Sequence, residues 1–106
     1  MNKLSVFVNN EIVFEQDRDI ILEAQQLAFL DKMDVDMFEG IKIQGELVKN
    51  PDEQQRLTFM AMNLIKGLQQ DNQAVISSSC AYLINRRAAL IEIHANDAEK
   101  GIAIEF

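Results

Sequence analysis

One stretch constrains this chain more than any other: residues 50–70, NPDEQQRLTFMAMNLIKGLQQ. Its opening reads as a helix start. Asn50 is placed to accept hydrogen bonds from the free amides of the first turn. Pro51 falls where a missing N–H costs nothing, and Glu53 is at the N3 position of a capping box with Asn50. Asp52 and Glu53 also put negative charge at the positive end of the helix dipole. Leu57, Met60, Ala61, Leu64, Ile65 and Leu68 form one apolar face at helical spacing, but Phe59 and Met62 lie off it. Only a narrow polar stripe remains, through Arg56, Asn63, Lys66 and Gln70. A helix apolar around most of its circumference is buried on more than one side, by its own neighbours or by a second subunit.

The segments on either side predict an α+β chain. Residues 3–15 read as a β-hairpin: LSVFV and EIVFE flank Asn9-Asn10, a pair that tolerates the positive φ of a type I′ turn. A two-residue turn pairs Val8 with Glu11, Phe7 with Ile12, Val6 with Val13 and Ser5 with Phe14. Phe7, Ile12 and Phe14 then share one face, and Leu4, Val6, Val8 and Val13 the other. Both faces are apolar, whereas an antiparallel sheet with one wet face alternates more cleanly. Leu4, Val6, Val8 and Val13, together with Phe59 and Met62, are therefore the candidate interface, with a partner subunit as their cover.

Residues 20–38 follow a helical period through Ile20, Ala24, Leu27, Leu30 or Phe29, Met33 and Met37, with Asp17 or Asp19 as the cap and Gly40 as the stop. Residues 41–49, beginning IKIQGELV, are compatible with a short strand, an irregular connector or a helix broken at Gly45, and are read as a loop with local structure. A third helix, residues 73–87, is capped by Asp71 or Asn72 and pairs with the second as a hairpin. Its apolar side is Ile76, Cys80, Leu83 and Ile84. Beside them Ala74, Ser77, Ser78 and Ala81 form a small-residue strip that lets another backbone approach. A second hairpin, ALIEIHA and GIAIEF, surrounds residues 96–100, with Ala95 opposite Ile102, Ile93 opposite Ile104 and Ile91 opposite Phe106. That register places Leu90, Glu92, His94, Ala103 and Glu105 on the other face. The expected architecture is thus two terminal hairpins joined into one antiparallel sheet, with three helices packed on one face.

Composition narrows the function. The 106 residues suffice for one compact domain and are too few for two. A net charge of −7, with no basic run longer than Arg86-Arg87, argues against direct nucleic-acid binding, which needs Lys and Arg to neutralise phosphates. The single cysteine, Cys80, makes no intramolecular disulfide and suits a reducing cytoplasm. The amino-terminal apolar run is short for a signal peptide, and no segment has the length of a membrane span.

Candidate chemistry is sparse. Asp31, Asp34, Asp36 and Glu39 lack the loop geometry of a calcium site, since Glu39 stands where an EF-hand needs Gly, and they read as a solvated helix end. Cys80 in mid-helix, on the apolar side, reads as a small core residue, and the serines at 77–79 as packing surface. His94 is the only histidine, flanked by Glu92 and Glu105 in the predicted hairpin, so those three with Tyr82 form the candidate ligand pocket between sheet and helices. Tyr82 and Arg86, one turn apart, are able to meet an anion. Phosphate loops, zinc spacings and dinucleotide fingerprints are absent, and no cofactor is expected. The leading expectation is a non-enzymatic interaction or adaptor module acting as a homodimer. The alternative is a small-molecule binding protein or minor enzyme with its pocket near His94.

Overall fold

The computed structural model of the chain describes residues 3–98 and 101–106. In order these form β1 (Lys3–Val8), β2 (Glu11–Asp17), α1 (Ala24–Phe38), β3 (Ile41–Ile43), β4 (Glu46–Val48), α2 (Glu53–Gln70), α3 (Gln73–Arg86), β5 (Glu92–Ala98) and β6 (Gly101–Glu105). The fold is α+β, with the helices packed against one face of a four-stranded sheet. Its strand order is β2-β1-β5-β6.

The two terminal hairpins form as expected, but they join differently. β1 and β5 lie side by side and parallel, so the sheet is mixed rather than antiparallel throughout. The chain returns from α3 at the end of the sheet where β1 begins, and the Ser5 amide there donates to the Ile91 carbonyl at 2.9 Å. The two inner strands carry the residues that need cover on the helix side, Leu4, Val6, Ile93 and Ala95, all buried. The edge strand β2 is the most charged of the four, with Glu11, Glu15 and Asp17, which suits a strand with unpaired backbone groups.

The first turn matches its sequence. Asn9 and Asn10 have φ of 50° and 70°, and Asn9 also locks β1 to β5: its side-chain amide donates to Asp97 Oδ2, and the Asp97 amide donates to Asn9 Oδ1, both at 3.1 Å. The register holds for Val8–Glu11 and Phe7–Ile12, then breaks at a bulge that makes Phe14, not Val13, the partner of Val6. The extra residue is Val13, left exposed, while Phe14 rotates from the Phe7 side to the core side. In the second hairpin the register lies two residues from expectation: Ala95 faces Ile104 and His94 faces Glu105. A two-residue slip preserves the faces, because side chains alternate with a period of two. The tip of that turn, residues 99 and 100, lies outside the described residues. Alternation fails just before β5, where a turn closed by the Leu90 amide on the Arg87 carbonyl buries Leu90 and leaves Ile91 exposed.

The helix α2 buries the face read from sequence, Leu57, Met60, Ala61, Leu64 and Ile65, with Leu68, Phe59 and Met62 half-buried. Its cap lies two residues later than expected. Asn50 takes a left-handed φ of 50°, its amide donating to the Phe38 carbonyl, so it is part of the turn before the helix. Asp52 is the N-cap: Oδ1 accepts from the Gln55 amide at 2.8 Å, and Gln55 Oε1 accepts from the Asp52 amide at 2.9 Å. The α2–α3 connection is as tight as expected, with Asp71 in the left-handed region and Asn72 capping α3 through the Val75 amide. The close approach between these helices occurs at Gly67, where a Cβ would meet Val75 Cγ1 at 3.0 Å, and not along the small-residue strip.

Two expectations for the first half fail. α1 starts at Ala24, four residues after Ile20, with the Glu23 amide donating to Gln26 Oε1 at 2.9 Å, so neither Asp17 nor Asp19 is its cap. Of its predicted apolar face only Leu30 and Met37 are fully buried, while Ala24, Leu27 and Phe29 face outward. Residues 41–48 form a small hairpin, β3–β4, around Gln44 and Gly45, both with positive φ. Among the described residues no helix is long and apolar enough to cross a membrane.

Replacing Asp52 by Ala should cost about 1 kcal/mol in urea unfolding, the usual value of an N-cap side chain. Replacing Glu53, the residue a cap at Asn50 would have required, should change stability by less than about 0.5 kcal/mol. Equal costs at the two positions would contradict the observed cap.

Candidate functional site

Asp34 gathers three side chains from two other helices onto one carboxylate: Tyr82, Arg86 and Arg56. It projects from α1 toward α2 and α3, one turn beyond Asp31. The Tyr82 hydroxyl donates to Oδ1. Arg86 donates to Oδ2 through Nε at 3.2 Å and Nη2 at 3.0 Å, and Nη2 reaches Asp31 Oδ1 at 2.8 Å. Arg56 Nε sits 3.3 Å from Oδ1 as an ion pair without hydrogen-bond geometry, while its Nη1 donates to the Pro51 carbonyl at 2.7 Å. The two guanidinium groups also lie over rings, Arg56 over Phe38 and Arg86 over Tyr82. Asp34, Arg56 and Arg86 each keep about a fifth of their side-chain surface exposed, so the cluster straddles the boundary between core and solvent.

This junction answers two sequence expectations. Tyr82 and Arg86 do meet an anion, and it is the chain's own Asp34. The acidic run on α1 is not uniformly a solvated helix end, because Asp31 and Asp34 are committed to Arg86 while Asp36 sits 4.0 Å from Lys32 in an exposed pair. Burial first, and then the bond to Asp34, push the Tyr82 hydroxyl up to about 12. Burial alone does the same to the Cys80 thiol, also to about 12, which keeps it protonated and unreactive in mid-helix.

The expected pocket of Tyr82, Glu92, His94 and Glu105 does not assemble. Tyr82 lies in the core among the helices, whereas the other three occupy the sheet's opposite face. His94 stacks flat on Phe7, its neighbour on the parallel strand, with ring centroids 4.6 Å apart and planes within 3°. Its Nε2 is 3.0 Å from Glu92 Oε1, and Glu105 stands directly across from it. The parity of β5 sends Ile93 and Ala95 toward the helices and His94 away from them, which separates His94 from Tyr82.

The candidate interface residues also divide. Leu4 and Val6 are fully buried beneath the chain's own helices and offer no contact surface, and Val8 packs partly on the same core. Val13 is exposed through the bulge. Phe59 and Met62 remain half-buried on α2. The hairpin has a second apolar face as expected, but the uncovered one carries Phe7 and Ile12. The small-residue strip of α3 lines an open groove of about 330 Å³ with Phe29 and Leu30 of α1.

Sequence reasoning passed over Asp34, Arg56 and Ser79. Asp34 was one of four acidic residues with nothing local to distinguish it. Arg56 read as part of a polar stripe, and Ser79 as one member of a serine run. In comparisons with protein-family models, with curated proteins and with solved structures, nothing matches this chain.

The chain has one tyrosine, so its phenolate absorbance reports Tyr82 alone. The folded protein should half-titrate near pH 12, against about 10 for the unfolded chain. Because the folded value is raised, the associated stability is fully present below about pH 10 and is lost as pH rises toward 12. Asp34→Asn should lower the folded midpoint without returning it to the ordinary value, since burial remains. A folded midpoint near 10 would mean that Tyr82 is neither buried nor bonded.

Proposed function

We propose that this protein is a non-enzymatic protein-interaction module that works as a homodimer in the cytoplasm. The observation that carries the reading is the uncovered face of the four-stranded sheet. Phe7 and His94 form a flat plate on its inner strands, with Ile12, 53% exposed, beside Phe7, and with Val13, 49% exposed, held at the surface by the bulge. Glu15, Glu92 and Glu105 flank this apolar centre. Such a plate meets its own copy across a two-fold axis, each Ile12 and Val13 covering the other's Phe7, in an aligned sheet-on-sheet contact. The lone buried thiol of Cys80 fits a reducing compartment.

The same face sets the electrostatics. Each copy carries a net charge of −7, and the flanking carboxylates of two copies approach one another, so screening should favour association. Sedimentation velocity at micromolar concentration should give about twice the chain mass, with the dimer tightening as salt is raised. Ile12→Lys should give a folded monomer, because Ile12 is exposed in the single chain, with an unfolding midpoint lowered only by the lost stabilisation of association. Val35→Lys, on the exposed side of α1, should leave the dimer intact. A wild-type monomer would refute the reading, and dissociation by Val35→Lys but not Ile12→Lys would move the contact to α1.

A further inference from the structure

A groove of about 420 Å³ runs where α1, α2 and α3 meet, within the size range of small-molecule sites. Three of the chain's five methionines line it, Met33 and Met37 from α1 and Met60 from α2, together with Phe59, Asn63 and Ser79. Methionine fills irregular space with a flexible, polarisable thioether and packs favourably against aromatic rings. Three thioethers and a phenyl ring therefore make a wall that adapts to a flat apolar body.

Two polar groups of the groove, on Ser79 and Asn63, are poorly satisfied. Ser79 is only 1% exposed, and its hydroxyl has no hydrogen-bond partner among the described residues. A serine inside a helix ordinarily returns its proton to a carbonyl of the preceding turn, as the adjacent Ser78 does to Val75 at 3.3 Å. An unpaired buried hydroxyl costs free energy that alanine at the same place would avoid. Across the groove, the side-chain amide of Asn63 donates only to Met60 Sδ, a weak acceptor at 3.8 Å. The charged lining residues, Lys66 and Asp36, are of opposite sign, so the groove selects for neither anion nor cation.

We infer that this groove binds a small neutral aromatic molecule carrying one hydroxyl or carbonyl group. The ring lies against Met33, Met37 and Met60, and its polar group hydrogen-bonds to Ser79. The site is separate from the uncovered sheet face, and neither proposal depends on the other.

The test uses the full chain labelled with carbon-13 at its methionine methyls, followed by two-dimensional NMR. Para-cresol is titrated in, with para-xylene as a ligand of the same shape lacking the hydroxyl. Para-cresol should shift Met33, Met37 and Met60 saturably while leaving Met62, which does not line the groove, unmoved. Para-xylene should bind about tenfold more weakly, as expected for one lost hydrogen bond to a buried partner. Ser79→Ala, which removes an unpaired buried group and so should fold, is expected to bring the two ligands to similar affinity. No saturable shift at the three methyls would overturn the inference, as would equal shifts at Met62 or a cresol preference that survives Ser79→Ala.

Discussion

The placement of α1 rests on one carboxylate. Only Leu30 and Met37 of its fifteen residues are fully buried hydrophobic side chains, contributing about 1.5–3 kcal/mol each. Ordering a backbone costs about 1–2 kcal/mol per residue. Internal hydrogen bonds offset part of that, but the helix has little apolar burial to fix where it lies. Asp34 supplies the missing specification. It accepts charge-assisted bonds from Arg86 and a hydroxyl bond from Tyr82, both on α3, and pairs with Arg56 on α2. Such bonds are directional and stronger than neutral ones, so the junction sets the angle and height of α1 as well as holding it. The two grooves along the inward face of α1, one lined by the α3 strip and one by methionines, are consequences of that placement.

The sheet is governed by a different constraint, the period of two along each strand. On β1 and β5 one parity supplies Leu4, Val6, Ile93 and Ala95 to the core, and the other presents Phe7 and His94 outward. The bulge at Val13 reconciles this with β2, bringing Phe14 to the core and leaving Val13 at the surface. Stacking Phe7 on His94 hides part of each ring without closing the face. The architecture thus leaves two kinds of unfinished surface, an apolar sheet face around Phe7 and Ile12 and a methionine-lined groove among the helices.

What was legible in the sequence followed from local signals. The α2 face, the Asn9-Asn10 turn, the α2–α3 hairpin and the presence of a hairpin at each end of the chain are written in periodicity and turn chemistry, and these survive in the structure, whereas the residue-by-residue register of the terminal hairpins does not hold throughout. What was not legible depended on distant chain segments. A capping signal exists at Asn50–Glu53 and again at Asp52–Gln55, and the choice between them is made by Asn50 closing onto the Phe38 carbonyl. The bulge at Val13 is absent from any count of alternating residues, yet it reverses the side on which Phe14 packs. The parallel β1–β5 pairing depends on where α3 delivers the chain. Asp34 was indistinguishable from Asp31, Asp36 and Glu39 until two arginines and a tyrosine, 22 to 52 residues away, converged on it.

These points give a consistent physical picture: a core built by α2, α3 and the inner strands, with α1 attached by a polar clamp. Native-state hydrogen exchange on Asp34→Ala tests that picture most directly. Removing the carboxylate should strip protection from the amides of α1, Ala24–Phe38, while α2, α3, β1 and β5 keep protection close to that of the wild type. Unchanged protection in α1, or a uniform loss across all elements, would contradict the account.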